Sequence, residues 1–152
     1  MSEIEDLYQD MVIDHNSRPR NFRKLDVANR SAEGYNPLCG DRVSLYLNVE
    51  DGVIADIGFI GSGCAISKAS SSLMTEIVKG KNEEEVDQIF NAFHHMITRE
   101  PGTHFDPEPL GDLEILSGIS KFPVRVKCAT ISWHTLYAAL KGKRGTVTNE
   151  QP

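Results

Sequence analysis

The sequence contains no apolar run approaching the ~20 residues that a membrane-spanning helix requires. Its opening stretch, "MSEIEDLYQD", is acidic and lacks the apolar centre of a signal peptide. Both features lead us to expect a cytoplasmic protein. Basic excess is missing too: 16 Lys and Arg face 22 Asp and Glu, a formal net charge of −6. With no basic run, nucleic-acid phosphate is not an expected partner, and neither is a membrane. There is no internal repeat and no low-complexity tract. Cysteine is scarce, at 3 residues. In a reducing compartment an odd, small number argues for free thiols or metal ligands rather than a disulfide framework. No nucleophile-elbow pattern is present, which leaves a Cys–His hydrolase built on a histidine such as His134 without support.

What is present suffices for one core. The chain has 152 residues, 39% hydrophobic and 25% charged, ordinary values for a single globular domain. We expect that domain over residues 1–142 and a flexible tail over 143–152, "KRGTVTNEQP". Apolar residues Ile4, Leu7, Tyr8, Met11 and Val12, with His15, fall on one face of a 3.6-residue period, which predicts a helix over 2–16 with Ser2 and Glu5 as a capping box. Residues 26–35 read as an irregular edge strand or as no strand. Val43, Leu45, Leu47 and Val49 alternate with polar neighbours, Asp51-Gly52 is a strong hairpin signal, and a return strand follows over 53–60. Helices are expected over 64–79, from Asn82 onward, over 112–119, and over 123–141, where Pro123 suits a first helical position. The fold class is therefore α+β: a small antiparallel three-stranded sheet packed against helices.

The chemistry gathers around the cysteines. "NPLCGDR" sets a soft thiol, Cys39, two residues from a hard carboxylate, Asp41, in a turn at the hairpin's entrance. "GSGC" puts Cys64 at the hairpin's exit. A hairpin returns the chain to where it began, so Cys39 and Cys64 are expected at the same end of the sheet. Cys128 follows in the first turns of the last helix, and nothing in its local pattern says that it meets the others. Three thiols and a carboxylate make four ligands, the number tetrahedral zinc takes. The spacing is no CxxC pair, and a buried cysteine often simply fills a core. Asp41 is equally at home as a turn residue. Arg42, Lys68, Arg125 and Lys127 lie near these positions in sequence and could offset a thiolate cluster's charge. His94, His95 and His104 read as core or surface residues.

The stretches "RPRN", "NPLCGDR", "GSGCAISKASSS" and "LSGISKFPVRVKCA" resemble the U-type iron–sulfur cluster assembly proteins, the family of IscU, SufU and the N-terminal domain of NifU. The resemblance spans roughly residues 5–140. Within it, Lys127 stands where IscU-like members have a histidine before the third cysteine. An insertion covers the "HHMITREPGTHFDPEPLGD" region. Both features are similar to the SufU branch. That resemblance implies an IscU/SufU-like fold and zinc held by Cys39, Asp41, Cys64 and Cys128. It also implies a zinc-dependent sulfurtransferase in which Cys39 accepts persulfide sulfur from a SufS-type, pyridoxal-phosphate-dependent cysteine desulfurase. Arg125 would help dock or activate that enzyme, and a downstream iron–sulfur scaffold would be a further partner. Two alternatives remain open: a scaffold that builds a [2Fe–2S] iron–sulfur cluster on the same thiols, and a non-catalytic structural zinc module.

Overall fold

Asp51 and Gly52 reverse the chain with φ of +53° and +77°, the mirror-image turn whose twist matches the strands it joins. The structure is a computed structural model in which residues 3–142 and 146–148 are described. Its elements are α1 (Glu3–Ser17), β1 (Arg30–Asn36), β2 (Asp41–Glu50), β3 (Val53–Ser62), α2 (Ala65–Val78), α3 (Glu83–Thr98), a 3-10 segment (Glu108–Lys121), α4 (Pro123–Leu140) and β4 (Thr146–Thr148). The α+β class holds. No described helix is long and apolar enough to cross a membrane.

The sheet has four strands in the order β3-β2-β1-β4, not three. Strands β1, β2 and β3 are antiparallel, whereas β4 pairs parallel with β1 through Glu33–Tyr35. The extra strand falls in the segment expected to be a tail. Three residues, Thr-Val-Thr, are too few to show a period. Residues 26–35, ambiguous in sequence, yield β1, which is an interior strand because β4 covers its outer side. The expected capping box of α1 falls on Ser2, outside the described residues.

One face of the sheet is the core. Val43, Leu45 and Leu47 of β2 are buried as alternation predicts. On β3 the alternation breaks: Ile57 and Phe59 are buried, but Ile54 replaces Val53 and Ala55 as the next inward residue. A register shift beside Asn48 and Val49 pairs Asp56 with Asn48 and Ile54 with Val49, so Ala55 has no partner. Such a bulge inserts one residue and flips the face of everything beyond it.

Helix α4 crosses this face. It is buried from Cys128 to Ala139 on nearly every side, which is why no single apolar stripe marks it. Trp133 is fully buried and lies against Phe90 and Phe93 of α3. Helix α3 starts with the capping box of Asn82 and Glu85, as its sequence predicts. The 3-10 segment is longer than the expected helix and breaks at Gly111, φ +52°. Helix α2 is lined with small buried hydroxyl residues, Ser67, Ser70, Ser71, Ser72 and Thr75. Ser72 and Thr75 bond His15, Arg20 and Asn21 of α1 and the segment after it, and Ser70 faces α4. Ser70 donates to the Ala129 carbonyl at 2.6 Å. This bond ties α2, whose N-terminus carries Cys64, to the turn of α4 that carries Cys128.

Candidate metal centre

The segment "NPLCGDR" is itself a hairpin loop, not only the entrance to one. Asn36 ends β1, Asp41 starts β2, and the two are register partners. The Gly40 N–H donates to the Asn36 carbonyl at 2.8 Å, closing the turn. Gly40 has φ +72°, a conformation that costs a side chain about 1 kcal/mol or more and glycine almost nothing. Cys39 sits at the exposed tip, next to Leu38, which is 54% exposed.

Asp41 is fully buried. Its Oδ1 accepts the Cys64 N–H at 2.9 Å, and its Oδ2 accepts Asn36 Nδ2–H at 2.9 Å. Among the described residues no ammonium or guanidinium group forms an ion pair with it. A buried carboxylate without a cation is costly, and a divalent ion would offset that cost. Gly63 permits this approach: a Cβ there would overlap Asp41 Oδ1, and its φ is +146°. The polypeptide thus brings β2 and the α2 entrance together by removing a side chain.

Cys64 is the N-cap of α2. Its Sγ accepts the Ser67 N–H at 3.4 Å and lies 4.0 Å from Asp41 Oδ2. Cys128, 2% exposed, arrives from α4 with its Sγ 3.2 Å from Cys39 Sγ. Asn36 Nδ2 also points at Cys128 Sγ, 3.6 Å away. Candidate ligand atoms of Cys39, Asp41 and Cys128 lie within 4.8 Å of one another, and the Cys64 thiol faces Asp41 and also interacts with the Cys128 thiol. Hairpin topology paired Cys39 with Cys64, and only the family resemblance joined Cys128 to them; the tighter thiol pair is Cys39 with Cys128. Burial raises the Cys128 thiol's pKa, and the Cys39 hydrogen bond, Cys64 and the Asp41 charge push it the same way.

The donor set fits a tetrahedral thiophilic ion. With zinc–sulfur bonds of about 2.3 Å and a zinc–oxygen bond of about 2.0 Å, sulfur–sulfur edges are about 3.8 Å and sulfur–oxygen edges about 3.5 Å. Against these stand the 3.2 Å Cys39–Cys128 and 4.0 Å Cys64–Asp41 separations. Rotamer-scale movements bring both to the ideal. Thiolates and a carboxylate suit zinc or iron.

The basic residues are placed differently from the sequence expectation. Arg42 lies over the Tyr35 ring at 4.4 Å, Lys68 over Phe22 at 4.8 Å and Arg125 over Phe122 at 4.5 Å. Strand alternation turns Arg42 to the face opposite Asp41. Lys127 is half-buried. Arg125 is exposed, almost one turn before Cys128, and borders a groove of about 450 Å³ whose walls include Ile13, Ile66, Ile119 and Phe122.

Asn36 is a contributor that sequence reasoning passed over. Asn36 is fully buried and holds both Asp41 and, through its Oδ1, the Leu38 N–H at 3.3 Å. Its only sequence signal is an Asn before Pro in a turn. No histidine belongs to the group among the described residues. His94 and His134 flank Phe90. His15 is buried under α2 with its Nδ1 2.7 Å from Ser72 Oγ.

Residues 7–129 match the family model described as the NifU-like N terminal domain. The chain is 39% identical over 141 residues to the "iron-sulfur cluster assembly scaffold protein IscU" of Streptococcus pyogenes serotype M1, covering 93% of this chain and 87% of the relative. It is 38% identical over 147 residues to the "zinc-dependent sulfurtransferase SufU" of Bacillus subtilis strain 168, covering 95% and 96%. Among solved structures it superposes, with a TM-score of 0.79 and 33% identity, on a protein of Fervidobacterium islandicum AW-1. That protein is described as an iron–sulfur cluster assembly scaffold for the SUF system; 90% of this chain and 98% of that one are covered.

Proposed function

The chain belongs to the NifU-like N-terminal domain family, with relatives named IscU and SufU, and from that premise we propose that it is a zinc-dependent sulfurtransferase of iron–sulfur cluster biogenesis. Cys39 accepts sulfane sulfur from the persulfide of a SufS-type cysteine desulfurase. One observation carries the reading: an exposed thiol on a glycine-containing turn stands 3.2 Å from a buried one, 89 residues away in sequence, beside a buried carboxylate. Cys39, Asp41, Cys64 and Cys128 would hold the metal. When bound, zinc supplies a redox-inert positive charge that keeps thiols deprotonated.

The chain's own residues then divide the work. Asn36 and Gly63 hold Asp41 in place, and the α2–α4 contact holds Cys64 and Cys128. Cys39 is the group that moves, because Gly40 beside it has open space around its Cα. As a thiolate it attacks the outer sulfur of the donor's persulfide. The donor cysteine leaves as thiolate, and Cys39 becomes the persulfide. Arg125, at the rim of the apolar groove, positions the donor enzyme. The protein works in the cytoplasm.

The test combines the purified chain with a SufS-type desulfurase and L-cysteine, followed by peptide mass spectrometry. The expected result is one added sulfur on Cys39, absent in Cys39→Ser. Equal labelling of that variant would refute the acceptor role. Arg125→Ala should slow loading about tenfold, as for a lost interface arginine, with unchanged metal content.

A second reading is a scaffold carrying a [2Fe–2S] cluster on the same thiols; the name of the S. pyogenes relative, an iron–sulfur cluster assembly scaffold protein, supports the scaffold role. Anaerobic reconstitution with iron and sulfide separates the two. A stable visible chromophore favours the scaffold, and a colourless protein that retains zinc favours the sulfurtransferase.

A further inference from the structure

The three thiols differ in what the polypeptide donates to them. Cys64 Sγ accepts the Ser67 N–H at 3.4 Å. Cys128 Sγ lies 3.6 Å from Asn36 Nδ2. Cys39 Sγ accepts no N–H among the described residues; its recorded partner is the Cys128 thiol. The hydrogen bonds of the Cys39 turn, from Gly40 N–H to the Asn36 carbonyl and from Leu38 N–H to Asn36 Oδ1, stop at its base. Asn36 is therefore the residue that touches both the buried ligands and the turn. A side-chain amide has two N–H donors and one carbonyl. In Asn36 one donor goes to Asp41 Oδ2 at 2.9 Å, the other points at Cys128 Sγ, and the carbonyl accepts from Leu38. The reverse orientation would set an amide oxygen against a carboxylate oxygen, so the network fixes the assignment. Asn36 is fully buried, and no water competes for either donor.

We propose that Asn36 is the positioning residue that decides which ligand can leave the metal: its amide keeps Asp41 and Cys128 in place and leaves Cys39 as the thiol with no amide hydrogen on its sulfur. The inference rests on the reading of Cys39, Asp41, Cys64 and Cys128 as ligands, and it adds a cause for the choice of Cys39 besides its exposure. An N–H···S bond favours the thiolate and draws electron density from it, so the sulfur is better held and less nucleophilic. Partners of this kind around a metal are worth about 10–100-fold in affinity. Ser67 gives one to Cys64 and Asn36 gives one to Cys128. The Cys39 sulfur keeps its charge density and is the strongest nucleophile of the three. When it departs, three ligands remain, each with a hydrogen bond that does not depend on the turn's sulfur.

The test uses the full chain in two arms. In the first, the unaltered protein is loaded with the NMR-active isotope of cadmium, and hydrogen–cadmium correlation spectra read couplings passed through N–H···S–Cd links. The expected result is a cross-peak from an Asn36 side-chain amide hydrogen and one from the Ser67 N–H, with none passing through the Cys39 sulfur. A missing Asn36 cross-peak, or one from any amide through Cys39 Sγ, would overturn the proposal. Absent cadmium couplings to the β-hydrogens of Cys64 and Cys128 would overturn the metal reading itself. In the second arm the zinc-loaded parent and Asn36→Leu, similar in size and without hydrogen-bonding groups, meet limiting iodoacetamide and then a chelator. Mass spectrometry reads the alkylated site and the zinc retained, and circular dichroism checks the fold. The parent should be alkylated on Cys39 and keep its zinc, whereas Asn36→Leu should release zinc at least about tenfold faster. Alkylation of another cysteine in the parent, loss of zinc from the Cys39-alkylated parent, or parental retention by folded Asn36→Leu would each overturn the proposal. If the variant does not fold, the first arm decides alone.

Discussion

The hairpin tip that carries Cys39 and the helix turn that carries Cys128 meet across 3.2 Å, yet they are built in opposite ways. The tip is exposed, has Leu38 54% exposed beside it, and places Gly40 in open space. The helix turn is buried and hydrogen-bonded to α2 through Ser70. Asp41 and Cys64 side with the helix: the carboxylate is fully buried, and the Cys64 N–H donates to it. A site built so unevenly has one part suited to reach out and three suited to stay.

Gly63→Ala should break the contrast most severely. Its Cβ overlaps Asp41, and its φ of +146° is strained for any side chain. A loss of about 2–4 kcal/mol in urea-induced unfolding is expected, together with loss of bound metal. A neutral result would mean that the α2 entrance is not packed on Asp41. Next comes Asn36→Ala, which removes one hydrogen-bond donor from a buried carboxylate and should destabilise by about 1–3 kcal/mol. Metal content in the same samples shows whether Asp41 has lost its orientation.

Acidification acts further from the site. Burial holds His15 below the ordinary imidazole range, with Arg20 acting in the same direction. His134 is lowered by burial and by His94. Both bind a proton less readily in the folded protein than in the unfolded chain. Their stability contribution is present above the unfolded value, about pH 6.5, and is lost as pH falls below it, by at most about 1.4 kcal/mol per pH unit for each group. Unfolding titrations of the parent and of His15→Gln at pH 7 and pH 5 should show a smaller decline in the variant. The smallest effect belongs to the tip: Cys39→Ser in metal-free protein should change stability by less than about 0.5 kcal/mol. A larger loss would mean that the tip is as anchored as the helix.

The sequence made the second hairpin legible because Asp51-Gly52 admits few backbone conformations and β2 alternates cleanly. The bulge at Ala55 was invisible, because a side chain records its face and not the register of its partner. Strand β1, "RSAEGYN", shows little alternation of apolar side chains, and β4 is three residues long. Of the candidate site, Cys39, Asp41 and Cys64 stood out through their glycines. Cys128 did not: a contact across 89 residues leaves no local period, and only the resemblance to a family placed it with the rest. Asn36 was hidden for a related reason. Its role depends on Asp41 and Cys128 both being at hand, and neither is its neighbour in the chain.

Zinc K-edge X-ray absorption on the freshly purified protein tests the central claim most directly, that Cys39, Asp41, Cys64 and Cys128 together hold one ion. The account predicts near-stoichiometric zinc with three sulfur scatterers at about 2.3 Å and one lighter atom at about 2.0 Å. Protein without zinc, or zinc surrounded by light atoms alone, would contradict it.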